Sequence, residues 1–308
     1  MRHKEILKLD LGNAICYSGY RENQSPLTQT YPTYEQTQED LHILAKNWKF
    51  IRLYDCSKHT EIILEVIKND NLDLKVMLGA PIGAEMNNRE CPWGAHYTLE
   101  NLENNRKQNK AEIQKMINLA KTYSDKVFAV SVGNEATVNW SDHIVKPERV
   151  IEFVRMVKAE LDIPVTFCEN YEPWLGKLEE LAEEVDFISL HTYPAWEYKD
   201  INDAMQYTIE NYYSVADKYK HKRVVITEAG WPTKSDGRGI MVERANEDNQ
   251  KQYYDELMGW SREQGVLAFV FEAFDEPWKG SPDSDEPEKH WGLFNVERKQ
   301  KKVMKDKY

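Results

Sequence analysis

The run Val127 to Gly133 (VFAVSVG), followed at once by Asn134 and Glu135, sets how this chain is read. A short apolar, β-rich segment stops at a glycine, and an amide and a carboxylate stand where it stops. Seven other runs have this build: Ala14 to Ser18 (AICYS), Phe50 to Tyr54 (FIRLY), Lys75 to Ala80 (KVMLGA), Val165 to Glu169 (VTFCE), Val185 to His191 (VDFISLH), Arg223 to Thr227 (RVVIT) and Val266 to Ala273 (VLAFVFEA). Between them lie helix-period stretches at Gln38 to Asn47, His59 to Asn69, Lys110 to Tyr123, Pro147 to Leu161, Leu175 to Glu184, Asp203 to Tyr219 and Asn246 to Gln264. Strand starts fall roughly 36 residues apart on average, the length of a βα unit with a functional loop. Eight such units predict an α/β chain folded as a single (β/α)8 TIM barrel over residues 1–308. An open doubly wound sheet usually carries a glycine-rich phosphate turn, and neither G-x-G-x-x-G nor G-x-x-x-x-G-K occurs.

The 308 residues, 41% apolar, supply a full core without disulfides or metals. Forty basic against fifty-two acidic residues leave a charge of −12, which argues against nucleic acid or anionic lipid as partner and favours a neutral or cationic one. Cys16, Cys56, Cys91 and Cys168 are spread without a C-x-x-C pair and read as free thiols. No apolar run approaches the ~20 residues of a membrane span, and Met1 to Asp10 lacks the apolar stretch of a leader, which leaves localisation open, since a leader can be removed. A monomer without cofactor or metal is expected.

In a barrel the site is built where strands end. Strand four ends in Asn134-Glu135, strand six in His191-Thr192-Tyr193-Pro194, strand seven in Glu228 to Pro232, and strand eight in Glu272 to Lys279. Two opposed carboxyls are what glycosidic cleavage requires, and an amide beside one of them suits a sugar 2-OH. Trp231, Trp278, Tyr193 and Trp93 offer flat faces for pyranose rings. His191 and Glu272 read equally well as core residues, and Asp275, Glu276 and Lys279 as a structural ion cluster. Trp48, Trp140 and Trp260 are placed away from the mouth.

The segments SVGNE (Ser131 to Glu135), ITEAGWP (Ile226 to Pro232) and FEAFDEPWK (Phe271 to Lys279), in this order and on these strands, resemble glycoside hydrolase family 17, the retaining β-1,3-glucan-active barrels of the GH-A clan, in its bacterial and fungal branch. The runs CYSGYR (Cys16 to Arg21) and IRLY (Ile51 to Tyr54) extend the likeness over almost the whole chain. The resemblance implies double displacement with Glu135 as general acid/base and Glu228 as nucleophile. It makes Asn134, Tyr193, Tyr54, Trp231, Glu276, Trp278 and Lys279 the candidate substrate-binding residues. The implied substrate is a neutral β-1,3-glucan or oligosaccharide. A transglycosylase using the same two glutamates is the alternative, and a non-catalytic carbohydrate-binding barrel a remote one. H-x-H and H-E-x-x-H metal patterns are missing from the chain, and no strand run places a lysine centrally for Schiff-base chemistry.

Ala229 departs from the pattern, standing where threonine is common, as do the long loop after strand three and the acidic loop after Lys279. Ile82 to Gln108, carrying Trp93, His96 and Tyr97, reads as a long loop that either walls off one end of the cleft or extends a sugar platform. Lys279 to Lys289 (KGSPDSDEPEK) reads as a mobile acidic loop, and Glu297 to Tyr308 as a solvated basic tail.

Overall fold

The computed structural model describes residues 9–307; residues 1–8, where most of the leader reading falls, and residue 308 lie outside it. Eight parallel strands close into one barrel in chain order: β1 (Ala14–Cys16), β2 (Phe50–Arg52), β3 (Lys75–Ala80), β4 (Val127–Asn134), β5 (Val165–Asn170), β6 (Phe187–His191), β7 (Arg223–Ala229) and β8 (Ala268–Val270). β8 pairs back on β1 through Ala14↔Phe269, so no strand edge is left open. All eight runs read from the sequence are strands, and the (β/α)8 fold class is the observed one. Among the described residues no helix is long and apolar enough to cross a membrane, and the four cysteines are buried free thiols.

The helices are α1 (Tyr34–Leu44), α2 (Lys58–Asn69), α3 (Leu99–Thr122), α4 (Pro147–Lys158), α5 (Tyr171–Trp174), α6 (Glu179–Glu184), α7 (Ile201–Lys218) and α8 (Glu247–Gln264). Local chemistry sets their ends. Thr33 and Gln36 form a capping box at the start of α1, Pro147 opens α4, and Gly265 ends α8 at φ 62°.

Three expectations need correction. The stretch read as a loop over Ile82 to Gln108 is a loop only to residue 98, where Thr98 and Asn101 cap α3. The first turns of α3 (LENLENNRKQ) were opaque to periodicity because much of their docking is polar: Asn105 Nδ2 donates to Ala84 O at 2.8 Å, and Asn109 exchanges hydrogen bonds with both backbone groups of Gly83. The tail is only partly solvated. Val303 and Met304 are buried, Lys301 donates to Asp275 at 2.7 Å, and Arg298 makes two bonds to the wholly buried Asp40. Two of its basic side chains, Arg298 and Lys301, are thus paired with buried carboxylates, while Lys299, Lys302 and Lys305 stay exposed. The loop after β8 is tied by Arg238 to Glu286 and by Lys289 to Asp283 O, with a short turn at Pro287–Lys289.

Two irregularities aim side chains into the barrel mouth. The β4–β5 register shifts between Ser131 and Asn134, and the β6–β7 register shifts after Leu190 so that His191 lies opposite Glu228. Gly133 has φ 94°, and a Cβ there would meet Ile82 at 2.7 Å, so this turn requires glycine.

Candidate active site

A cleft of about 670 Å³ opens at the C-terminal ends of the strands. Glu135, Glu228 and Tyr193 line it with Phe271, Trp196 and Trp291, whose rings pack together with that of Tyr193. Trp93, Trp140, Asn170 and Tyr171 line it as well, and Glu197, Glu286 and Glu288 add negative charge. Trp93 is 65% exposed, its face free to stack.

Glu228, at the end of β7, is almost fully buried. Arg52 of β2 donates to its Oε1, Tyr54 donates to the same oxygen at 3.0 Å, and Tyr193 donates to Oε2. Burial alone would lift this carboxyl. The charges of His191 and Arg52, with the hydrogen bonds from Tyr193 and Arg52, overcome that and hold it at about 2. Arg52 is itself 2% exposed, and such a buried guanidinium persists only where it is paired. Its second nitrogen donates to Asn134 Oδ1, so one cation ties β7 to β4.

Glu135 sits differently. It follows Gly133 and Asn134 in a left-handed conformation, φ 45°, and its N–H donates to Cys168 O at 2.9 Å. Its side chain is 25% exposed. His143 Nε2 lies 2.8 Å from Asn134 O and steadies the peptide before it. His191 joins the two sides: Nδ1 is 2.8 Å from Glu135 Oε1 and 3.5 Å from Glu228 Oε2. Burial disfavours its charge, yet Glu228, Cys168 and Glu135 lift the imidazole to about 10, so it is cationic at neutral pH. One oxygen of Glu135, one of Glu228 and a nitrogen of His191 lie within 4.8 Å of one another. A metal ion is disfavoured there, because protonated His191 offers no lone pair and the Arg52 guanidinium already compensates Glu228.

Of the residues read from the sequence, Glu135, Glu228 and Tyr193 face the cleft, and Asn134 and Tyr54 touch their polar network. Trp231 does not. It is 1% exposed, packs on Tyr253 of α8 and donates to Arg244 O, because its strand-end position turns outward to the helix layer. Glu276, Trp278 and Lys279 also stand off the cleft. Lys279 binds both oxygens of Glu272 at 2.9 Å and Glu276 at 2.6 Å, and Trp278 donates to Glu276. The ion cluster read from the sequence is met in part, with Glu272 in the place of Asp275, which pairs with Lys301 instead, and Lys279 Nζ lies 4.6 Å from the centroid of the cleft residue Phe271.

Several lining residues escaped the sequence reading. Trp140 was placed away from the mouth but lines it, because the loop after β4 folds back over the cleft. Trp196 and Trp291 lie on loops, Tyr171 opens the four-residue α5 and Glu288 sits in the short turn at Pro287–Lys289, so none carries a readable periodicity. Burial and the charges of Glu135 and Glu228 push the Glu288 carboxyl up to about 7, against the pull of Lys279. Arg52 and His191 did carry a signal. An arginine inside a buried strand run demands a buried anion, and Arg52 and Tyr54 share one strand face.

Fold and mouth together define a class, the (β/α)8 glycoside hydrolase barrels. The chain belongs to the family described as the BtgE/BtgC glycoside hydrolase domain, whose model matches residues 14–292. An endo-laminarinase from Formosa superposes with a TM-score of 0.82 and 30% identity, covering 96% of this chain and 86% of that one. An active-site mutant of a Rhizomucor miehei beta-1,3-glucanosyltransferase in complex with laminaritriose shares the fold at TM-score 0.74 and 21% identity, over 95% of this chain and 96% of that one. A glucan 1,3-beta-glucosidase of Schizosaccharomyces pombe is 26% identical over 80% of this chain and 74% of its own length. The btgC proteins of Aspergillus niger and Aspergillus terreus match 92% of this chain, which spans only 42% and 43% of their length.

Proposed function

We propose that this chain hydrolyses β-1,3-glucosidic bonds in a neutral glucan with retention of configuration, Glu228 acting as nucleophile and Glu135 as acid/base. The observation that carries the reading is that an oxygen of Glu135 and an oxygen of Glu228 lie within 4.8 Å of each other, with no room for a water held between the carboxyls as an inverting pair needs. Retaining glycosidases hold their pair about 5 to 5.5 Å apart, whereas inverting ones leave room for a water at about 6.5 to 9.5 Å.

The environments support the division of roles. Glu228, held ionised by Arg52, Tyr54 and Tyr193, can attack the anomeric carbon. Glu135, more exposed and lining the same cleft as Trp93 and Trp140, can give the leaving sugar a proton. Water then enters, Glu135 takes its proton, and the glucosyl bond to Glu228 is broken with a second inversion. As the charge on Glu228 is lost and regained, the donors around it need no rearrangement. Cationic His191 lies against both carboxyls and offsets whichever is negative.

The substrate class draws on the relatives, named for activity on β-1,3-glucan or laminarin, and on a cleft with aromatic faces and carboxylates. Such a lining suits neutral sugars and repels uronic or sulfated ones. Transfer to a second sugar remains the alternative, supported by Trp93, Trp140 and Tyr171, whose faces could hold an acceptor in place of water.

Incubation with laminarin and short β-1,3-gluco-oligosaccharides, followed by chromatography and by NMR of the first-formed anomer, tests this. A β-anomer is expected, and longer products would reveal transfer. An α-anomer would overturn the retaining assignment, and release of no reducing sugar would favour the binding barrel.

A further inference from the structure

Glu169 takes no part in the steps above and lies outside the cleft. It is wholly buried on β5, beside β4 in the barrel. Isolated, such a carboxylate would be costly, yet it meets three donors: Oε2 accepts from Thr137 N at 2.9 Å and Thr137 Oγ at 2.7 Å, and Oε1 from Asn170 N at 2.8 Å.

Thr137 is two residues beyond Glu135. Glu135 is fastened to the same strand one residue earlier, through its N–H to Cys168 O. The turn over residues 135–137 is thus sewn to β5 at two points, one backbone and one carboxylate. It needs fastening, since Glu135 holds φ 45°, a left-handed conformation unfavourable for a non-glycine residue. The adjoining Thr137 carbonyl is held by Lys177 and the Ala136 carbonyl by Val145 N–H. A carboxylate is the side chain that fits, because a glutamine would present one acceptor oxygen and an unwanted NH₂ to donors that converge on two oxygens. Burial and the charge of Glu135 lift the Glu169 carboxyl to about 7 against these hydrogen bonds, so the two acids feel each other.

We propose that Glu169 is a positioning residue for Glu135: through Thr137 it holds the left-handed turn that aims the Glu135 carboxyl at the glycosidic oxygen. This rests on the reading of Glu135 as the acid.

A misplaced acid slows departure of poor leaving groups and spares good ones, whereas a general loss of structure slows both. The test compares kcat/KM for laminaritetraose, whose leaving sugar needs a proton, with kcat/KM for 2,4-dinitrophenyl β-laminaribioside, whose phenolate does not. In Glu169→Gln the first should fall about ten- to a hundredfold, the scale of an ångström's misplacement, and the second by less than about threefold. Thr137→Val, which removes only the hydroxyl donor, should show the same split at a few-fold, and it decides the matter if Glu169→Gln does not fold. Equal losses on both substrates, or no loss on either, would overturn the proposal. Glu135→Gln is measured alongside. If that variant loses both activities equally, the reading of Glu135 as the acid fails; if it splits the substrates and neither Glu169→Gln nor Thr137→Val does, only the positioning role fails.

Discussion

The ends of β7 and β4 carry the two glutamates, and they hold them in opposite ways. Glu228 is enclosed, with donors on both oxygens and a buried guanidinium beside it. Glu135 stands on a strained turn with one side-chain partner, His191, and open space toward the cleft. The difference is chemical. A nucleophile is needed ionised and fixed, so dense donation helps it; an acid/base must exchange its proton with sugar and water, and the same donors would trap its proton off.

The sharpest break of that comparison is truncation of each side. Glu228→Ala should lower glucan turnover beyond the roughly 10⁴-fold that a lost acid–base group costs at most. Added azide should then give a glycosyl azide of inverted configuration, while in Glu135→Ala azide should give the retained one. Swapped configurations in the NMR spectra would exchange the two labels.

Next in size is Arg52→Met. With its folded value near 2, the Glu228 carboxyl is ionised across the working range, and the stability it gains is present above the usual carboxylate range and lost as pH falls toward 2. Removing the guanidinium raises that value, so the acid limb of kcat/KM should move to higher pH by a unit or more. Breaking this buried pair should also cost about 3 to 5 kcal/mol in denaturant unfolding at neutral pH. An acid limb left in place would mean that His191 and the tyrosines suffice.

On the β4 side the loop over residues 81–98 offers a milder change. It braces the β4 loop through Asn88 to the carbonyls of Asn139 and Ser141 and through Tyr97 to Asp142 O, while Trp93 projects to the cleft. Trp93→Ala should raise KM for laminari-oligosaccharides about two- to tenfold, the scale of one aromatic face, with kcat nearly kept. Replacing residues 89–94 by a tight turn between the paired Asn88 and Ala95 keeps the brace and tests the wall. If the loop closes one end, products should shift from mono- and disaccharide to a mixed ladder on chromatography.

The smallest kinetic effect is expected at Trp231. Buried on α8, Trp231→Phe should leave KM unchanged within about twofold and appear only as lost thermal stability, about 0.5 to 3 kcal/mol. A large rise in KM would return this ring to the cleft.

Eight strands and the residues ending them were legible because a barrel writes its period into the chain: apolar runs of fixed spacing, each followed by polar residues at the mouth. The positions of Glu135 and Glu228, the paired carboxyl chemistry they suggest and the absence of a nucleotide signature all follow from local pattern. Other features had no local cause. Whether a tryptophan near the mouth faces sugar or helix is set by packing, which sent Trp231 outward against α8 and left Trp93, in the loop after β3, open. The polar start of α3 was hidden because Asn105 and Asn109 dock it by hydrogen bonds, which leave no hydrophobic period. His191 and Glu169 reach the glutamates from the neighbouring strands, β6 beside β7 and β5 beside β4, whereas Arg52 on β2 meets Glu228 on β7 only across the closed barrel. Charges inside a barrel select their partners through that closure, which no window of sequence contains.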